Sequence, residues 1–388
     1  MKRTFTQIAI APNAFKGTLT AAEAARCLER GLKKALPGAS FVIVPMADGG
    51  EGTALAVVKA TGGRWVRCSV ADPLGRRIKA QFGLSGDGRM AIVEMASASG
   101  LILLRPQERN PLLTTTRGTG ELVRAALDRQ VTRLLIGIGG SATNDGGMGM
   151  ARALGVRFLD ARGRELPEGG GSLGRLARID TSRLDPRLQE VKVEVACDVT
   201  NPLFGPRGAA RVYGPQKGAT PAMVKQLDGG LRRLAAIIQR DLGTDVARLP
   251  GAGAAGGLGA GLVAFLKGQM RPGVDIVMDA VDLTGKLAGC DLVITGEGCL
   301  DGQTIFGKAP AGVAKVAKQL GLPVIAICGS LGAGAAKAPE AGIDACFSAL
   351  EGPIPESELA QRAAGMLERC AEQVGRVLAL RLASLARP

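Results

Sequence analysis

The sequence predicts an α/β protein with largely parallel sheets, organised as two α/β domains. Three observations carry this reading. Short runs rich in Val and Ile alternate with Ala- and Leu-rich stretches of helical spacing. Several of the runs are apolar without interruption, as in strands covered on both faces. The chain has 388 residues, too many for one ordinary core.

The elements follow in order. Strands are expected at 7–12 (QIAIAP), 41–46 (FVIVPM), 90–95 (MAIVEM), 133–139 (RLLIGIG), 191–197 (VKVEVAC), 291–296 (DLVITG) and 323–328 (PVIAIC). Helices fill 20–35, 51–60, 118–129, 221–241, 310–320 and 356–384. The stretch 63–90 predicts hairpins instead, with turns at ADPLG and SGDG. Residues 160–190 are polar, arginine-rich and loop-like, and 329–342 (GSLGAGAAKAPEAG) is a low-complexity loop with a weak helix. Strand–helix alternation is cleanest at the two ends. The expectation is a discontinuous domain from 1–62 plus 286–388, interrupted by an inserted α/β domain over 63–285.

Composition narrows the chemistry. Hydrophobic residues are 46% and charged residues 22%, a globular balance. There is no histidine. That excludes a Ser-His-Asp or Cys-His nucleophile, a His-ligated zinc and a histidine general base. Acid–base work falls to Asp, Glu, Lys, Tyr or Cys, and Tyr213 is the one tyrosine. The net charge is 49 − 35 = +14, which favours anionic partners. Aromatics are only 3% and no long basic run occurs, so nucleic acid is not the expected partner. The eight cysteines are widely spaced and several sit in apolar runs, as small core residues do. The opening segment has too short an apolar stretch for a signal peptide, and no run nears the roughly 18 residues of a membrane helix. A cytoplasmic protein with no membrane partner is expected. Association into a homo-oligomer is compatible with the sequence.

Glycine is the excess: 57 residues, about one in seven. These residues have no triplet period, which excludes collagen, and they gather in loops. The loops follow predicted strands: ADGGEG (47–52), GGSATNDGGMG (139–149), CDVTNP (197–202) and GEGCLDGQT (296–304). Ligands of open α/β sheets bind beyond the carboxyl ends of the strands. Four such loops carrying acids, glycine and small polar residues predict a composite active site. Glycine-rich entries to helices offer N–H groups to phosphate, and acids without histidine suit magnesium. Phosphoryl transfer needs mainly positioning and charge neutralisation, with an Asp able to act as base.

Two motifs carry less than their letters suggest. Gly251–Gly256 spells G-x-G-x-x-G, but the preceding TDVARLP is a poor strand, so a dinucleotide fingerprint is not expected. The segment suits either phosphate binding or close helix packing. Gly302–Lys308 nearly matches the Walker A pattern, but Ala309 replaces its Ser/Thr. Lys308 remains a phosphate-contact candidate. Lys16 follows the first strand and precedes a helix capped by Thr18 or Thr20, where a cation can neutralise phosphate or carboxylate.

Six ordered segments, PNAFKGTLTA (12–21), PMADGGEGT (45–53), GIGGSATNDGGMGM (137–150), ACDVTNPLFGPRGAARVYGPQKGA (196–219), LPGAGAAGGLGAG (249–261) and VITGEGCLDGQTIFGKAPAGVA (293–314), resemble the bacterial glycerate kinases almost end to end. The resemblance implies a Rossmann-like domain interrupted by a second α/β domain. It also implies ATP- and Mg2+-dependent phosphorylation of D-glycerate, most often to 2-phosphoglycerate. Glycerate would then bind in a cleft between the domains. Backbone N–H groups and Lys16 would hold its carboxylate, and Asp198, or second Asp48, would take the hydroxyl proton. Asp145, Glu297 or Asp301 would bind magnesium. Gly139, Gly140, Ser141 and Asn144, with Gly253, Gly256, Gly257, Asn201 and Lys308, would hold substrate or nucleotide. Two departures stand out: Asn13-Ala14 where Asp-Ser is common, and Cys299 where arginine often follows GEG. A kinase for another small hydroxy acid keeps the same nucleotide site. A nicotinamide-dependent oxidoreductase is the competing enzyme class, against which the misplaced glycine motif and acid-rich loops count. A non-catalytic anion-binding protein rests on charge alone.

Overall fold

The computed structural model describes residues 5–47, 52–302 and 308–384. Numbered in chain order, the strands are β1 Gln7–Pro12, β2 Ser40–Ile43, β3 Arg64–Ala71, β4 Arg77–Leu84, β5 Met90–Glu94, β6 Arg133–Gly137, β7 Arg157–Leu159, β8 Arg178–Asp180, β9 Lys192–Ala196, β10 Gln269–Arg271, β11 Leu292–Gly296, β12 Cys299–Leu300, β13 Val324–Cys328, β14 Ser330–Leu331 and β15 Ala345–Ser348. The chain is mixed α/β and divides into two compact units, 1–48 with 277–388 and 49–276.

The first unit is a five-stranded parallel sheet, ordered β15-β13-β11-β1-β2. The apolar run of β1 pairs on both sides, Ile10 lying opposite Ile43 and Ile294. The helix Ala21–Ala35 starts at a capping box. Thr20 Oγ1 accepts from Glu23 N (3.3 Å), and Glu23 Oε2 accepts from Thr20 N (2.9 Å). Its apolar face (Ala24, Leu28, Leu32) joins Ile8, Ile10, Ile294 and Leu367 in one core. The C-terminal helix Glu356–Ser384 packs on it closely, because a Cβ on Gly31 would lie 2.2 Å from Glu368 O. The helix Ala309–Gln319 packs on β1, β11 and β13. Between β1 and β11 the strand order reverses direction, which opens a crevice beyond their carboxyl ends.

The second unit has a six-stranded sheet, ordered β10-β9-β6-β5-β4-β3. Strands β5, β6, β9 and β10 are parallel, and β3, β4 and β5 are joined as antiparallel hairpins. Asp72 Oδ1 fixes the first hairpin turn by accepting from Leu74 N (2.8 Å) and Arg76 N (2.9 Å). The sequence drew the inner boundaries at 62/63 and 285/286, whereas the compact units part at 48/49 and 276/277. The helix Thr53–Ala60 explains much of the first shift. Ala54 N donates to Glu94 Oε1 on β5 (2.9 Å), and Val58 fills the space above Gly83 on β4. Helical periodicity gives this segment an apolar face but not the sheet it covers. Among the described residues no helix is long and apolar enough to cross a membrane.

One buried charge ties the second sheet together. Glu194 on β9 is fully buried and accepts from Arg133 on β6 and from Arg271 on β10 (2.6 Å). Burial pushes its carboxyl up, but the two arginines outweigh burial and leave it below the usual glutamate range. A depressed carboxylate contributes stability above its unfolded pKa, and that contribution is lost as pH falls through the folded value. Glu194→Ala is expected to cost about 3 kcal/mol at pH 7, the low end for a buried pair because both arginines keep some contact with water. Urea melts at pH 7 and pH 4 should show a smaller difference between variant and parent at pH 4; an equal difference would contradict this.

Candidate active site

Each unit has a cavity at the carboxyl ends of its parallel strands. In the first unit the backbone after β1 is locked to β11, with Asn13 N donating to Gly296 O (2.8 Å). Asn13 is buried and its Oδ1 accepts from Ala14 N (2.8 Å). The resulting cavity, about 390 Å³, takes Lys16 and Thr18 from the β1 side and Glu297, Cys299 and Asp301 from the β11 side. Lys308 completes the polar wall, its Nζ 3.7 Å from Asp301 Oδ1. The opposite wall is apolar, with Leu359, Ala363 and Met366 of the C-terminal helix. Lys16 and Cys299 are exposed, whereas Glu297 is nearly buried. The structure thus brings Lys16, Glu297, Asp301 and Lys308 to one cavity. Asp48 lies outside the described residues.

In the second unit a cavity of about 440 Å³ lies beyond β6 and β9. Gly139, Gly140 and Ser141 follow β6, and Cys197 and Asp198 follow β9. Gly140 takes φ +71°, and its carbonyl accepts from Leu101 N (2.8 Å). Its exposed backbone is therefore turned by a conformation that favours glycine. Asp198 is exposed, and its Oδ1 accepts from Gly273 N (2.9 Å).

The loop leaving β6 is held from within by Asp145. Its carboxylate is fully buried. Oδ2 accepts from Thr116 N (2.8 Å), Thr116 Oγ1 (2.9 Å) and Gly149 N (3.1 Å), and Oδ1 from Gly147 N (3.2 Å). Burial raises its carboxyl above the usual range against the pull of those donors. These four donors give Asp145 a structural task in this fold. Asn144 beside it is fully buried, and its amide has no hydrogen-bond partner among the described residues. Such an orphan costs stability unless water or a ligand satisfies it.

Gly253, Gly256 and Gly257 face protein backbone rather than open space. A Cβ on Gly256, at φ +69°, would lie 1.9 Å from Thr143 O; one on Gly253 would lie 2.2 Å from Pro202 O. Of this segment, Ala254 and Ala255 line the cavity. Asn201 lies in a separate groove with Arg207, Arg232 and Arg248. Its side chain holds the loop, donating to Arg207 O (2.8 Å) and accepting from the Tyr213 hydroxyl (2.7 Å). Among the described residues no three Asp, Glu or Cys side chains cluster as a ready metal site.

Lys217 was not singled out by the sequence. It lines the second cavity at 2% exposure and donates to Ser141 Oγ (3.0 Å) and Thr143 O (2.7 Å). Burial pushes its ammonium down to about 7, opposed by Asp145. Its segment, GPQKGA, has the composition of a turn, where a lysine is normally solvated. Only a buried partner reveals the difference.

Cations, carboxylates and glycine backbone at the carboxyl ends of the parallel strands of both sheets define an α/β enzyme scaffold suited to small anions. Residues 8–379 match the Glycerate kinase family. A glycerate kinase of Halalkalibacterium halodurans is 52% identical over 95% of this chain and 97% of that protein. The glycerate 2-kinase of Escherichia coli K12 is 52% identical over 89% of this chain and 90% of its own length. A crystal structure from Salmonella typhimurium LT2, provisionally named glycerate kinase 2, superposes with a TM-score of 0.90 at 50% identity, covering 97% of this chain and 99% of the other. The chain belongs to the glycerate kinase family, whose named members are phosphotransferases.

The two kinds of glycine separate by substitution. Gly256→Ala should destabilise the protein by about 3 kcal/mol or more, combining left-handed strain with overpacking. Gly139→Ala meets nothing within 4 Å and should stay within about 0.5 kcal/mol of the parent in a denaturant melt. Equal losses at the two positions would contradict this division.

Proposed function

We propose that this chain transfers the γ-phosphoryl group of ATP to D-glycerate, giving 2-phosphoglycerate and ADP. Family membership supports the reaction class, and the name of the Escherichia coli relative favours the 2-hydroxyl. The observation that carries the reading is the first-unit cavity. Two lysines and two carboxylates converge there at the strand-order reversal, in a cavity that the C-terminal helix lines with apolar side chains.

In the reaction the hydroxyl oxygen bonds to the γ-phosphorus, and the bond from that phosphorus to the ADP oxygen breaks. The hydroxyl proton passes to a carboxylate, which we assign to Asp198, exposed at the second-unit cavity. Lys16 and Lys308 would neutralise anionic oxygens. The backbone of Gly139 and Gly140 and the Ser141 hydroxyl would hold phosphate or carboxylate oxygens. Glu297 and Asp301 are hard oxygen donors on one wall, and they fit a magnesium ion that keeps waters and phosphate oxygens in its shell. When bound there, the ion would neutralise phosphate charge. Asp145 drops out of the proposed metal set, because four protein donors already occupy it.

Cys299 on the same wall favours a second reading, a kinase for another small hydroxy acid. A coupled ADP-release assay with D-glycerate, ATP and magnesium, followed by phosphorus NMR of the product, decides between them. Turnover to 2-phosphoglycerate is expected. No turnover with glycerate, but turnover with another hydroxy acid, would replace the first reading with the second. Asp198→Asn should lower kcat by about 10² or more while the melt is unchanged. Lys16→Met should raise KM for glycerate or ATP about tenfold, a loss of about 1.4 kcal/mol. Unaltered kinetics would remove the residue concerned from the mechanism.

A further inference from the structure

Lys217 is a buried lysine with no anion bonded to it among the described residues. Its two acceptors, Ser141 Oγ and Thr143 O, are neutral. Asp145, the carboxylate that acts on it electrostatically, is occupied by Thr116, Gly147 and Gly149. An ammonium carries three N–H donors, so two protein bonds leave one over. Keeping a lysine at 2% exposure is costly unless a charge partner arrives. The side chain also borders the cavity that holds the exposed backbone of Gly139 and Gly140. Packing alone would be served as well by methionine or leucine, with no charge to desolvate.

We propose that Lys217 is an oxyanion-binding residue. Its ammonium, aimed by Ser141 and Thr143, meets a phosphate or carboxylate oxygen of a substrate in the cavity beyond β6 and β9. The Gly139–Gly140 backbone lines the same place. This deepens the kinase reading and depends on it only for the identity of the anion. The ammonium is easily discharged when the cavity is empty, since burial holds it near 7. An arriving anion favours the charged form, so binding above neutrality takes up a proton. The other titratable groups of this wall are Cys197, Asp198 and Tyr213, with Asp145 behind it. Burial raises Cys197 and Tyr213 further from neutrality.

The test is calorimetric binding of inorganic phosphate, ADP and D-glycerate to the full chain at pH 8, in buffers of different ionisation enthalpy. Lys217→Met should weaken the anion that Lys217 holds at least tenfold, and the parent should take up protons on binding it that the variant does not. Weakening of phosphate and ADP assigns the phosphoryl end; weakening of glycerate alone assigns the carboxylate. A folded Lys217→Met protein that binds all three probes as the parent does would overturn the proposal. Should Lys217→Met fail to fold, Lys217→Gln takes its place, and unaltered binding of all three probes by that folded variant would likewise overturn the proposal. Binding of none of the probes by the parent would overturn it too. If glycerate is not phosphorylated but Lys217→Met still loses phosphate, the glycerate reading falls and Lys217 stands.

Discussion

The second unit depends on a carboxylate that never meets solvent. Asp145 gathers the loop after β6 by accepting from Gly147 and Gly149, and it ties that loop to the start of the helix Arg117–Leu127 through Thr116. Desolvating an acid is costly, and four donors offset part of that cost. Thr116 Oγ1 in turn accepts from Met150 N (2.9 Å), so the network reaches the next helix. With the loop fixed inside, its outer end can present Gly139, Gly140 and Ser141 to a cavity without a rearrangement on binding. That is the arrangement electrostatic preorganisation requires.

The first unit reaches a comparable result by topology. Parallel strands aim their carboxyl ends at one edge, and the reversal between β1 and β11 leaves room there for a ligand. Lys16 and Glu297 lie in the segments that follow the two strands flanking this gap. A chain without histidine has few groups that titrate near neutrality. Charge in both cavities is therefore carried by carboxylates and lysines, and at Lys217 burial brings an ammonium down to about 7.

Much of the fold was legible because buried parallel strands write themselves as unbroken Val/Ile runs. QIAIAP, DLVITG and PVIAIC fall on β1, β11 and β13 within a residue or so. Strand β15, only four residues at a sheet edge and half-buried, has no such signature. β10, β12 and β14 are shorter still. The helix Thr53–Ala60 was legible as a helix but not as part of the second unit, because its partner lies in the pairing of β4 and β5. The candidate loops were legible from their order after strands. What each residue does there was not. Sequence cannot separate Asp198, exposed at a cavity, from Asp145, sealed inside, since both follow strands in Gly- or small-residue contexts. Nor does it separate a cradle glycine from one pressed against backbone, as at Gly139 and Gly256.

On the proposed reading, the anions of the reaction are held at the carboxyl ends of the parallel strands in each unit. Amide hydrogen exchange reads those backbones directly. Compared with the free protein, saturating ADP with magnesium and D-glycerate should slow exchange at 139–143 and 197–199 and at 13–18 and 297–301. Protection confined to the groove of Arg207, Arg232 and Arg248, with these four segments unchanged, would contradict that placement of the anions.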